Sequence, residues 1–114
     1  MSTEFIAYLH EVFVSFGSIQ AKRMFGGFGI YHQGLMFALV IDDILYLKAN
    51  EKSKHIFEQH GLTPFEFDRL GKIVKLSYYQ APEEIFDDFE HAVIWANLAY
   101  ESALKAKKPK KKPL

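Results

Sequence analysis

The sequence predicts an α+β fold, in which helices pack on one antiparallel sheet in two layers. Three observations lead to this prediction. Short apolar segments with strand spacing follow one another with only two-residue turn signals between them. Apolar residues recur at helical spacing at the start, in the middle and at the end of the chain. The predicted order is a helix, a four-strand meander, a second helix, a two-strand hairpin and a third helix.

The first helix and the meander occupy the first half of the chain. Helical spacing extends from Phe5 to Phe16, and Gly17 is expected to end this helix in a left-handed conformation. Gln33-Gly34 is a tight-turn signal. The predicted strands are 19–25, 28–32, 35–41 and 44–48. The third of these is continuously apolar, which indicates a central strand that is covered on both faces or lies at a dimer contact.

The second half begins with Asn50, which is expected to cap a short helix that Gly61 ends. A hairpin follows at 65–67 and 72–79. The last helix is expected to begin at Pro82 and to continue to about Lys107. Its predicted core stripe is Ile85, Phe86, Phe89, Val93, Ala96, Tyr100 and Leu104. The sequence therefore predicts one domain over 1–107 and a disordered basic tail over 108–114.

Composition and charge exclude several classes of function. The 114 residues contain no Cys, which excludes a disulfide framework, a thiolate metal site and a cysteine nucleophile. The net charge of zero is unevenly divided, since residues 1–104 carry eight basic and fourteen acidic side chains. The first residues do not resemble a signal peptide, and no apolar run approaches the roughly 20 residues of a membrane helix. A soluble, cytoplasmic protein is therefore expected.

The motifs of the chain occur in a distinctive order. They are Arg23-Met24-Phe25-Gly26-Gly27, then Ser77-Tyr78-Tyr79 with Ala81-Pro82-Glu83, and finally Trp95 followed by Ala96, Ala99 and Ala103. In this order they resemble the N-terminal domain of the TfoX (Sxy) family of competence regulators. The resemblance implies a fold like that of secretion chaperones and a link to regulation of DNA uptake in bacteria, without enzymatic activity. Two-domain members carry a further helical domain, whereas this sequence ends in lysines.

Catalytic, phosphate-binding and metal motifs are not predicted. His32 stands where a dinucleotide fingerprint beginning at Gly27 needs Gly, and Leu35 stands where a phosphate loop needs Lys. Glu84, Asp87 and His91 share one helical face, where a metal could be shared with a second chain. A solvated acidic face is the preferred interpretation. The sequence thus predicts no enzyme, no cofactor and no small-molecule substrate.

Partner binding is the favoured function, and the last helix provides its first candidate surface. Ile94, Trp95 and Leu98 lie on the side opposite the predicted core stripe. We expect them to meet a protein partner or a second copy, or else to be covered by the first helix. Arg23 is a second candidate, for a carboxylate or phosphate of a partner. The alternative interpretation is that Arg23 forms an ion pair within the chain.

The lysine tail supports an alternative function, that of a nucleic-acid-associated protein. Its cations are Lys105, Lys107, Lys108, Lys110, Lys111 and Lys112. They can contact phosphates in a salt-dependent manner. No aromatic residue lies among them, so base recognition is not expected. The other interpretation is a solubilising end.

Overall fold

The computed structural model describes residues 3–24 and 26–107, except for the side chain of Lys107. The helices are α1 (Thr3–Val12), α2 (Lys54–Gln59) and α3 (Phe89–Lys107), with a 3₁₀ helix at Glu83–Phe86. The strands are β1 (Gln20–Met24), β2 (Gly27–His32), β3 (Leu35–Ile41), β4 (Ile44–Lys48), β5 (Pro64–Arg69) and β6 (Lys72–Gln80). Phe25 and the predicted tail at 108–114 lie outside the described residues.

The strands form one antiparallel sheet in the order β1-β2-β3-β4-β6-β5. The meander and the hairpin are joined where β4 pairs with β6, with Lys48 opposite Tyr78. The hairpin thus extends the meander and does not form a second sheet. The predicted α+β class and the order of elements are confirmed.

All three helices pack on the same face of this sheet and share one core with it. Leu9 of α1, Phe57 of α2 and Ala96 of α3 are fully buried in the same cluster as Ile30 and Leu47 of the sheet. Successive strand residues point to opposite faces, so only alternate strand positions reach this core. The buried face of α3 is rich in alanine, which lets the helix lie close to β3 and β4.

A bulge in β3 shifts this alternation by one residue. Tyr31 pairs with Met36 while Ile30 pairs with Ala38, so Phe37 is an extra residue with no partner on β2. Phe37 and Ala38 are both fully buried among the helices, and the ring of Phe37 lies 5.6 Å from that of Phe13. Met36 and Leu39 consequently lie on the opposite face of the sheet.

The end of the chain differs from the prediction of one continuous helix. The 3₁₀ helix ends at Phe86, and α3 begins anew at Phe89. Asp88 caps α3, because its Oδ1 accepts the backbone N–H of Glu90 at 2.7 Å. Since Ile85 and Phe86 belong to a separate helix, they do not set the register of α3.

The predicted core stripe of the last segment is right in part, since Ile85 and Ala96 are buried and Tyr100 packs against the core, but two of its positions are wrong. Phe89 and Leu104 are 56% and 46% exposed. The buried positions of α3 are Ala92, Trp95, Ala96, Ala99, Ser102 and Ala103. Trp95 thus belongs to the face that packs on the sheet.

Candidate functional site

Trp95 lies in the core and is only 4% exposed. Its ring contacts those of Phe57 and His60, with centroids 5.3 and 5.1 Å apart. Its indole N–H donates a hydrogen bond of 2.7 Å to the carboxylate of Glu84. The placement of Trp95 on an outer side of the helix is wrong, because Phe57 and His60 of the α2 segment and Glu84 of the 3₁₀ helix cover it within the chain.

The other candidate residues predicted from the sequence are dispersed over the fold. Ile94 is 62% exposed on α3, while Leu98 packs partly against the core. Arg23 is exposed on β1, and its guanidinium lies 5.2 Å from the centre of the Phe28 ring. Among the described residues no carboxylate forms an ion pair with Arg23, so a ring contact replaces the expected ion pair. Partner binding through Arg23, Ile94 or Leu98 stays a prediction.

The acidic start of the last segment is used within the chain. Glu84 accepts the indole N–H of Trp95, and Asp88 caps α3. His91 is partly buried, and its Nδ1 has no hydrogen-bond partner among the described residues. Within residues 3–24 and 26–107, no three acidic or histidine side chains come together in a way that could hold a metal ion.

Little of the lysine tail falls within the described chain. Lys105 is exposed near the end of α3. The side chain of Lys107 lies outside the described residues, as do Lys108, Lys110, Lys111 and Lys112. Nucleic-acid binding by the tail therefore stays a prediction. Of the described helices, none combines the length and the apolar character that crossing a membrane requires.

A cleft of about 560 Å³ separates α2 from the β5–β6 hairpin. Its charged and polar groups are partnered within the chain: Lys54 with Glu51 at 3.3 Å, Lys75 with Glu66 at 3.8 Å, and Glu58 with the hydroxyl of Tyr79 at 2.9 Å. Because these groups are already paired, the cleft presents little unsatisfied chemistry for a ligand.

The larger feature is the sheet face opposite the helices, which we call the open face. Alternation and pairing place on it the apolar side chains of Met24, Tyr31, Met36, Leu39, Ile41, Ile44, Tyr46, Phe65, Phe67, Val74, Leu76 and Tyr78. Its strand cations are Lys22, Lys48, Arg69 and Lys72. No described helix packs on this face, because all of them share the core on the other side. Sequence reasoning missed this surface.

Aromatic rings form the floor of the open face. The ring of Phe65 lies 5.0 Å from Tyr46 and 6.0 Å from Phe67. The ammonium groups of two lysines lie over tyrosine rings, Lys22 over Tyr31 at 4.8 Å and Lys48 over Tyr78 at 4.9 Å. These cation–π contacts hold both charges above an apolar surface.

Partial dehydration of the open face is visible in its ionisable groups. Burial lowers the pKa of the Lys48 ammonium. Burial, and after it the charge of the nearby Tyr31, raises the pKa of Tyr78 to about 12. Burial also raises the pKa of Tyr46, with a smaller effect from Asp42. The centre of this face is thus less hydrated than an ordinary protein surface.

The raised pKa of Tyr78 predicts a loss of stability at alkaline pH. Between the ordinary tyrosine value of 10 and the folded value of about 12, the unfolded chain releases a proton that the folded chain keeps. The free energy of unfolding should therefore fall as the pH rises through this interval. Tyr78→Phe removes the titrating group and should make the fall less steep. Urea unfolding at pH 9, 10 and 11 measures both slopes, and equal slopes would contradict the prediction.

Residues 11–103 match the TfoX N-terminal domain. The chain belongs to the TfoX N-terminal domain family. The family prediction made from the sequence motifs is thus confirmed. Every strand of the open face lies within the matched residues, so this surface is part of the family domain itself.

Two curated relatives are similar to this chain. Protein Sxy of Escherichia coli (strain K12) is 28% identical over 97 residues, which are 85% of this chain and 46% of that protein. The DNA transformation protein TfoX1 of Aliivibrio fischeri is 29% identical over 82 residues, 68% of this chain and 39% of that protein. The chain therefore spans less than half the length of either relative.

Proposed function

We propose that this chain is a non-enzymatic regulatory domain that acts by binding another protein. The open face carries the proposal. It gathers apolar side chains from all six described strands, and no described helix packs on it. A sheet buries its apolar face against another layer, and a contiguous apolar surface is typical of a protein interaction site.

Membership of the family supports a proposal about the process in which such a domain would act. One relative is named as a DNA transformation protein, and neither relative carries the name of a reaction. We accordingly propose regulation of DNA uptake, or of transcription linked to it, through the bound protein. In one form of this proposal the bound protein is a second copy of the chain, which corresponds to the dimer contact expected for β3.

An affinity capture from the native host tests the proposal with matched variants. Leu76→Asp places a charge on the open face, at a side chain that is 38% exposed. Ile94→Asp places the same charge on α3, at a side chain that is 62% exposed. We expect the wild type and Ile94→Asp to retain one specific protein that Leu76→Asp loses.

Circular dichroism serves as the folding control for both variants. Retention by Leu76→Asp with loss by Ile94→Asp would move the interface to the outer side of α3. If neither the wild type nor either variant retains a protein, and sedimentation finds a monomer, the protein-binding function is refuted.

A further inference from the structure

We infer that the open face binds an acidic amphipathic segment of a partner protein. Its apolar side chains would lie on the aromatic floor, and its carboxylates would meet Lys22 and Lys48, while the tip of the β5–β6 hairpin would contact the partner beyond this segment. This inference rests on the proposed protein-binding function and names the chemistry of the partner. Three features of the molecule support it: the distribution of charge, the two lysines and the hairpin tip.

Charge is segregated between the two sides of the sheet. Residues 1–104 carry eight cations and fourteen carboxylates. Four of these cations, but none of the carboxylates, occupy strand positions of the open face. Glu66 points to the other side, where it pairs with Lys75. Residues 1–104, which together carry a net negative charge, therefore present a basic face on this side of the sheet, and such a face attracts a partner of opposite sign.

Two lysines of the open face, Lys22 and Lys48, lack a counter-charge in the described chain. Neither Lys22 nor Lys48 forms an ion pair among the described residues. Each ammonium rests on a tyrosine ring instead, and burial lowers the pKa of Lys48. A carboxylate of a partner would supply a charge-assisted hydrogen bond at each position.

The spacing of these lysines suits a short segment laid across the strands. Lys22 lies on β1 and Lys48 on β4, three strands away and two residues beyond Tyr46, the residue in line with Lys22, so they are roughly 16 Å apart at about 4.8 Å per strand and about 3.4 Å per residue. A helix of about ten residues spans roughly 15 Å. The occupant therefore needs carboxylates at both ends of a segment of about this length.

The hairpin tip extends the same surface with a residue that the fold itself does not use. Leu70 is 96% exposed and has a left-handed backbone, with φ of +53°. A bulky side chain is unfavourable in that conformation. Arg69 and Lys72 flank the turn and face each other across the two strands. A strained and fully exposed leucine between two cations is consistent with contact to an apolar and acidic partner.

Two other occupants fit this face less well. A second copy bound face to face would place the same cations against one another, and like charges at an interface are unfavourable. Single-stranded nucleic acid needs open aromatic faces for stacking. Here lysines lie over Tyr31 and Tyr78, and Tyr78 is only 7% exposed.

Fluorescence anisotropy with defined probes tests the inference on the full chain. The probes are a labelled twelve-residue amphipathic peptide with Glu and Leu, its counterpart with Gln in place of Glu, and a twelve-nucleotide oligothymidylate. We expect the Glu peptide to bind about tenfold tighter than the Gln peptide, and this preference should shrink at high salt. The double variant Lys22→Glu/Lys48→Glu should abolish the preference.

Lys52→Glu/Lys54→Glu is the matched control, because Lys54 begins α2 on the helical side of the sheet and Lys52 lies in the turn just before it. It should bind like the wild type. Equal affinity for both peptides, or no binding of either, overturns the inference. If the oligonucleotide binds more tightly than the Glu peptide, and Lys22→Glu/Lys48→Glu abolishes that binding, the open face is assigned to nucleic acid. A dimer that this variant dissociates in sedimentation would assign it to a second copy.

Different results would refute the proposed protein-binding function and the inferred acidic partner. If Leu76→Asp loses the protein captured from the host while Lys22→Glu/Lys48→Glu retains it, protein binding stands and the acidic partner does not. If Leu76→Asp retains it as well, the open face is not the interface at all.

Discussion

Trp95→Ala is expected to lower the free energy of unfolding by about 3–5 kcal/mol, the range for removing a large aromatic side chain from a core. The indole is 4% exposed and contacts Phe57 and His60, so its removal leaves a cavity between α2 and α3. Its loss also removes the N–H that Glu84 accepts at 2.7 Å. Because a domain is stable by only about 5–15 kcal/mol, this single change can remove most of the stability.

Urea denaturation followed by circular dichroism measures this loss. Ile94→Ala is the matched control on the same helix, and its exposed position predicts a change within about 0.5 kcal/mol. Trp95→Phe keeps one six-membered ring but loses the five-membered ring with its N–H donor, so its loss of stability should lie between those of Trp95→Ala and Ile94→Ala. A Trp95→Ala variant with the wild-type midpoint would contradict the core position of the indole.

Gly27→Ala is expected to destabilise the chain by roughly 3 kcal/mol, at the upper end of the usual range for overpacking. A Cβ at this position would lie 2.2 Å from the carbonyl oxygen of Val40 and 2.5 Å from Cδ1 of Ile41. The carbonyl belongs to the backbone of β3, which pairs directly with β2. The added methyl group can be accommodated only if these two central strands separate locally.

Gly29→Ala provides the control two residues along the same strand. A Cβ there would meet the sulfur atoms of Met36 and Met24 at 2.6 and 2.8 Å. Methionine side chains are flexible, so they can move aside, and we expect a loss below about 1 kcal/mol. Thermal unfolding of both variants compares the two positions. Equal losses of stability in the two variants would contradict the prediction. The cost of the added methyl group would then not depend on whether it meets backbone or flexible side chains.

Local signals predicted the turns and the end of α2 well. Gln33-Gly34 and Asp42-Asp43 form the turns of the meander, with positive φ at all four residues. Gly61 has φ of +74° just beyond α2, as expected of a residue that ends a helix. Asn50 does not cap α2 as predicted, because α2 begins at Lys54 after Ser53; Asn50 instead accepts the N–H groups of Lys52 and Ser53 in the turn before the helix. The confirmed features depend on a few adjacent residues, so the sequence contains the information directly.

Helix lengths were predicted less well. The first helix ends at Val12, and a turn at 13–16 follows, although apolar spacing continues to Phe16. The predicted final helix is divided at Asp88, because a side-chain cap there is more favourable than continuing the 3₁₀ helix. Apolar spacing alone does not reveal such an interruption, since both segments remain apolar.

The sequence alone determined the α+β class, the order of the elements and the family. Periodicity, turn residues and motifs are properties of neighbouring positions in the chain, and they need no knowledge of what packs where. The tertiary structure decided that Trp95 is a core residue and that the helices cover one side of the sheet. Both faces of the central strands are apolar, so alternation could not say which face would remain uncovered. Only pairing of distant strands brings Lys22, Lys48, Arg69 and Lys72 to that face.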